Sequence, residues 1–159
     1  MILDCKDLEN IQYVEGKDDC YGSIRGFFRK HYELVLSNYA RPFGFALNDL
    51  NLISDNMYRE GFEPVNVPLK RLELGDVIVL AITGSSLANH LGVYVGNNYF
   101  LHHLYKRKSA VEDYGRLWQK QTLNIIRHPK VTEVNNSRPV EIVKLIDLMP
   151  PHVRHKIFG

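Results

Sequence analysis

Two short stretches hold the residues of this chain best suited to chemistry: DDCYG at positions 18–22 and NHLGVYVGNNYFLHH at positions 89–103. Cys20 follows two acidic residues and opens a run with helical spacing. His90 opens a short apolar run, and His102 ends the next one after a Gly96-Asn97-Asn98 turn. A thiol has an ordinary pKa near ~8.5 and becomes a nucleophile when its anion is stabilised. The first turn of a helix does this through its aligned N–H groups. A nearby imidazole does it as an ion-pair partner, and can then protonate a leaving amine. The Cys20 N–H, pointing out of the helix start, suits an oxyanion. The pattern is that of a cysteine nucleophile acting on an acyl group.

Which histidine assists is a question of parity. His90, Gly92 and Tyr94 share one face of their strand; Leu91, Val93 and Val95 share the other. A strict two-residue turn at Asn97-Asn98 pairs Gly92 with His103. A three-residue turn or a bulge pairs it with His102 and brings that ring to the face of His90. Spacing alone leaves both registers open. A plainer reading also stands: Cys20 as a small buried residue, and the histidines as ordinary strand residues.

Other reactive side chains are poorer candidates. His31 lies between Phe27 and Val35 and reads as packing or surface; Cys5 has no capping context and no histidine near it in sequence. Lys106-Arg107-Lys108 reads as a solvated loop, the glycines form no phosphate-binding motif, and His152 and His155 lack a third ligand. No cysteine or histidine spacing fits zinc, and no cofactor is called for.

The elements that must position these residues follow from periodicity. A helix is predicted from Cys20 to about Asn38, with Ile24, Phe27, Phe28 and Val35 inward and Asp18 or Asp19 as its cap. Tyr39 to Leu47 reads as loop, and a second helix runs from about Asp49 to Glu60. Phe62 to Pro68 is extended. Strands follow at Val77–Ile82, His90–Val95 and Tyr99–Tyr105, then a short helix near Tyr114–Trp118 and a closing strand Thr122–Arg127. Beyond His128, Val131–Ser137 reads as linker and Pro139–Leu148 as a short helix. A helix followed by consecutive antiparallel strands is an α+β pattern.

At 159 residues, 45% hydrophobic and 24% charged, the chain fits one domain that buries roughly 70% of its unfolded surface without disulfides. A net charge of +2 is too weak to argue for nucleic acid or anionic lipid as partner, and neither nucleic acid nor membrane insertion is expected. Acidic residues stand where a secretory signal carries basic ones, and no run is long enough to span a membrane. The sequence thus points to no export signal or membrane insertion of its own.

These residues also resemble a known family. YVEGKDDCYG is similar to the opening Y-x-x-G and D-C-x-G of the NlpC/P60 cysteine peptidases, LELGDVIVL to their L-x-x-G-D strand, and HLGVYVGNNYFLH to their H-x-G-x-Y-x-G-x-x-x-F-x-H. The stretch from His102 to Pro129 resembles a subgroup found in long-tailed bacteriophages. The resemblance implies a papain-like α+β fold with the nucleophile helix packed on an antiparallel sheet. It places catalysis at Cys20, His90 and His102, so that Gly92 pairs with His102, and substrate contacts at Tyr13 and Asp19. It implies cleavage of peptidoglycan stem peptides, at the bond between γ-D-glutamate and a diamino acid. The chain would then ride in a virion tail tip beside other tail tip proteins, made in the host cytoplasm and acting on the wall in the periplasm. Residues 1–129 would form the peptidase domain and 130–159 an extension that docks to a neighbour. Three rival roles share this scaffold: a structural tail subunit with weak or gated activity, a different acyl transfer such as amidase or lipid acyltransferase work, and a maturation protease of tail proteins.

Overall fold

A computed structural model describes residues 1–41 and 52–138. The first helix, α1 (Cys20–Tyr32), starts where Asp19, in extended backbone, accepts the N–H of Gly22 on its side chain. It buries Ile24, Phe27, Phe28 and Tyr32. It stops at Glu33, whose φ of 52° is left-handed and whose N–H returns to the Phe28 carbonyl. The predicted helix ran on to Asn38 with Val35 inward; Val35 is instead 77% exposed, because the left-handed residue ends the periodicity before it.

The remaining elements are α2 (Leu52–Arg59), β1 (Glu63–Pro64), β2 (Val77–Leu80), β3 (His90–Gly96), β4 (Tyr99–His102), β5 (Ala110–Asp113), α3 (Arg116–Gln121), β6 (Thr122–Arg127) and α4 (Pro129–Ser137). All strands pair antiparallel in one sheet of order β1-β6-β2-β3-β4-β5. The strand expected to close the sheet, β6, lies inside it between β1 and β2. β2 and β4 are shorter than predicted, and β5 falls in a stretch given no strand beforehand.

One face of the sheet packs Val77, Val79, Leu91, Val93, Val95, Leu101 and Ile126 against α1 and Met57 of α2. The other face gathers Ile78, Leu80, Phe100, Tyr114 and Ile125, with Trp118 of α3 packed against them. Burial on both faces accounts for the unbroken apolar runs of β2 and β3.

Residues 131–137, read from sequence as linker, belong to α4. His128 caps it by accepting the N–H of Lys130, Pro129 occupies the first turn, and Val131 is wholly buried in the core. Asn135 secures the helix by donating to the Leu74 carbonyl at 2.8 Å, and it accepts the Tyr32 hydroxyl at 3.1 Å. The helix predicted at Pro139–Leu148 and the histidines at 152 and 155 lie outside the described residues, as do most of the predicted loop Tyr39–Leu47 and the start of the second predicted helix.

Candidate active site

Asp19 builds the nucleophile end. Its carboxylate is wholly buried; Oδ1 accepts from the Gly22 N–H at 2.9 Å, and Oδ2 accepts from the Gly16 N–H at 2.9 Å and from Arg41 Nε at 2.6 Å. One side chain thus ties the loop before the helix, the helix start and Arg41 together. Both oxygens are held by the chain itself, so Asp19 shapes the surroundings of Cys20. Gly22 is required here: a Cβ would fall 2.0 Å from the Lys17 carbonyl oxygen.

Cys20 follows at the first helical position and is 3% exposed. Helix-start geometry alone predicts an easily ionised thiol. In the fold, burial and the Asp19 carboxylate push Cys20 up to about 12, against the opposing pull of the Leu91 and Tyr21 backbone N–H groups and of Arg41. Burial thus opposes the stabilisation that a helix start gives the thiolate. Its contact with the Leu91 N–H sets the sulfur against β3 one residue from His90. No hydrogen bond joins Cys20 to His90 among the described residues; catalytic bonds are often long before substrate binds.

The two histidines are brought together. Gly92 pairs with His102, and the ladder shifts by a bulge between Tyr94 and Gly96, where Asn97 and Asn98 both take positive φ. That bulge puts His102 on the face of His90. His90 Nε2 lies 3.0 Å from His102 Nδ1, and both residues are 2% exposed. Burial lowers both imidazoles, His90 well below its ordinary value and His102 to about 4. Both rings are thus neutral at pH 7, as a base that accepts a thiol proton must be.

Three neighbours were not visible in the sequence. Phe100 stacks on His102 with ring centroids 4.3 Å apart, and Trp118 meets the same ring edge-on at 4.9 Å. Glu112 Oε2 stands 3.4 Å from His102 Nε2. Only the alternation of β4 with an unrecognised β5 would have found Glu112.

Tyr13 is half-buried, with its ring edge-on to His103 at 5.5 Å and to Tyr105 at 5.3 Å. Burial, with Cys20 and Asp19 contributing, raises its phenol. His103, on the opposite strand face from His102, bonds through Nε2 to the Arg107 carbonyl at 2.9 Å. Tyr21, directly after the nucleophile, sets its hydroxyl 2.8 Å from both the Ser37 carbonyl oxygen and the Tyr39 hydroxyl, and stacks on Tyr39. Cys5 and Cys20 are both free, and no cluster of three or more metal-ligating side chains occurs among the described residues.

A profile of the NlpC/P60 family matches residues 11–127, which hold Cys20, both histidines and the whole sheet. The chain belongs to the NlpC/P60 family. It is 30% identical over 121 residues to the tail tip assembly protein K of Escherichia phage N15, covering 75% of this chain and 48% of that protein. It is 33% identical over 120 residues to the protein of the same name from Escherichia phage lambda, covering 74% and 57%. The chain thus matches about half the length of these relatives. Among solved structures it is similar to an NLP/P60 family protein, described as similar to a lipoprotein, from Staphylococcus aureus subsp. aureus Mu50, with a TM-score of 0.51 at 20% identity over 76% of this chain and 37% of that one. The α+β NlpC/P60 fold expected from the sequence is the fold observed. No helix among the described residues is long and apolar enough to cross a membrane.

Proposed function

We propose that this chain is a cysteine endopeptidase of a phage tail tip that cuts peptidoglycan stem peptides at the γ-D-glutamyl–diamino acid bond. One observation carries the reading: the buried, mutually bonded His90–His102 pair, with His90 on the strand whose Leu91 N–H meets the helix-start cysteine, in an NlpC/P60 chain. In this mechanism Cys20 Sγ attacks the scissile carbonyl as its proton passes to His90. The oxyanion is held by the Cys20 N–H. His90 then gives the proton to the leaving amine, and the same ring activates the water that releases the acyl-enzyme. His102 orients His90, Asp19 holds the helix start, and Tyr13 lines the cleft. The tail location and the partnership with other tail tip proteins extend the same proposal from the names of the two phage relatives, and periplasmic action and a docking role for residues 130–159 belong to it.

A gated form of this activity is favoured by a specific observation. Cys20 is 3% exposed, a burial suited to a virion subunit that stays silent until it meets the wall. The test is mass spectrometry of purified peptidoglycan digested with the protein and with Cys20→Ala. New stem-peptide fragments from the first alone establish the peptidase and its bond. Identical digests from both, repeated with assembled tails, point to a structural subunit.

A further inference from the structure

The His90–His102 bond has a direction, and the direction decides whether His90 can act as a base. To accept a proton at Nδ1, His90 must carry its own proton on Nε2 and donate it to His102 Nδ1. His102 must then carry its proton on Nε2. If the proton of His102 sits on Nδ1 instead, the bond reverses, His90 is protonated on Nδ1, and no lone pair faces the thiol. Nothing in the two rings chooses between these states, so a third group must.

That group stands on β5. Ala110 lies opposite His102 and Glu112 opposite Phe100, so all four share one face of the β4–β5 ladder, and Glu112 is the diagonal neighbour of His102. Its Oε2 is 3.4 Å from His102 Nε2, looser than the 3.0 Å bond between the rings. A carboxylate only accepts, so it holds the His102 proton on Nε2 and opens Nδ1 to His90. Phe100 and Trp118 pack on the His102 ring and keep it from turning over.

We infer that Glu112 is the positioning residue that sets the polarity of a Glu112–His102–His90 relay, fixing both rings in the tautomers a base at His90 requires. The inference rests on the peptidase reading of the site, which deepens with it. With its side chain 36% exposed, Glu112 closes the chain at the solvent edge. It also counters the positive charge that appears on His90 once the thiol proton moves there. Other groups act on His102 as well: His90 from β3, Arg107 from the following loop, and His103 beside it on the chain. Among the described residues, Glu112 is the carboxylate that offers an acceptor to Nε2.

The test separates the relay from the peptidase. In protein labelled with ¹⁵N-histidine at pH 7.5, His102 should show a protonated Nε2 and a bare Nδ1. Glu112→Leu, which removes the acceptor, should mix the two tautomers. Glu112→Gln, which keeps a carbonyl oxygen, should restore the first. On stem peptides, Glu112→Leu should lower kcat about ten- to a hundred-fold with KM unchanged. A protonated Nδ1 on His102 in the parent protein overturns the inference. So does an unaltered tautomer in Glu112→Leu, or an unaltered kcat in an active enzyme. If stem peptides are not cut by the parent protein while the tautomers respond as stated, the relay stands and the peptidase reading falls. Should Glu112→Leu not fold, the parent and Glu112→Gln spectra decide alone.

Discussion

His90 and His102 meet nitrogen to nitrogen, Nε2 to Nδ1 at 3.0 Å, in a part of the fold where neither ring reaches solvent. The bond exists because a bulge in the β3–β4 hairpin shifts the register by one residue, and one residue is the difference between His102 and His103 facing His90. His90→Ala should therefore lower stem-peptide cleavage by about 10²- to 10⁴-fold. His103→Ala, on the other strand face, should leave kcat far less affected. Steady-state kinetics of the two variants check the assignment; equal losses would refute it.

Burial of the two rings also has a sign in stability. His102 titrates at about 4 in the fold against an ordinary 6.5, so between those values the unfolded chain binds the extra proton. Stability supplied by the neutral ring is fully present above pH ~6.5 and is lost as pH falls toward ~4. The loss from His102 is on the order of 3 kcal/mol across that window. Urea unfolding at pH 7 and pH 4.5 should show the fall, and His102→Gln should flatten it. A variant with an undiminished slope would place the effect elsewhere.

Asp19 and Arg41 form a pair whose side chains are 0% and 4% exposed. Removing one partner of such a pair strands a buried charge, at a cost of about 3–5 kcal/mol. Arg41→Ala should show that loss in denaturant unfolding, and Asp19→Ala should add the loss of the helix cap, about 1 kcal/mol more. A change of under about 1 kcal/mol in Arg41→Ala would mean that water reaches the carboxylate.

The site and the fold were legible in the sequence to different depths. Cys20 was visible because a capping acid before an apolar helical run is a local signal. His90 and the hairpin were visible because Gly96-Asn97-Asn98 sits between two apolar runs. The register was left open by spacing because a bulge is set by backbone geometry, with Asn97 and Asn98 at positive φ. Glu112 was missed because its meaning lies across strands, on a β5 whose half-exposed residues carry no strong apolar pattern. α4 was missed because a single wholly buried side chain, Val131, anchors it, and the signals of His128 as cap and Pro129 in the first turn were passed over. The depth of Cys20 was not legible for a different reason: a helix start favours the anion, burial opposes it, and depth is a tertiary property.

Gly92 ties the sheet to the relay. It stands between His90 and Tyr94 on their strand face, directly opposite His102, and a Cβ there would fall 2.4 Å from the Phe100 ring. The missing side chain is what lets Phe100 lie across the strand and stack under His102. Gly92→Ala must push that ring aside, since the opposing atoms are a wholly buried aromatic with no open space to enter. The expected cost is about 1–3 kcal/mol in stability, with a loosened His102 and reduced cleavage. Phe100→Leu in the same background relieves the clash and should recover most of the stability. It should not recover the activity, because the surface that holds His102 is then gone. Recovery of both would mean that Phe100 only fills space and that the orientation of His102 comes from Glu112 and Trp118.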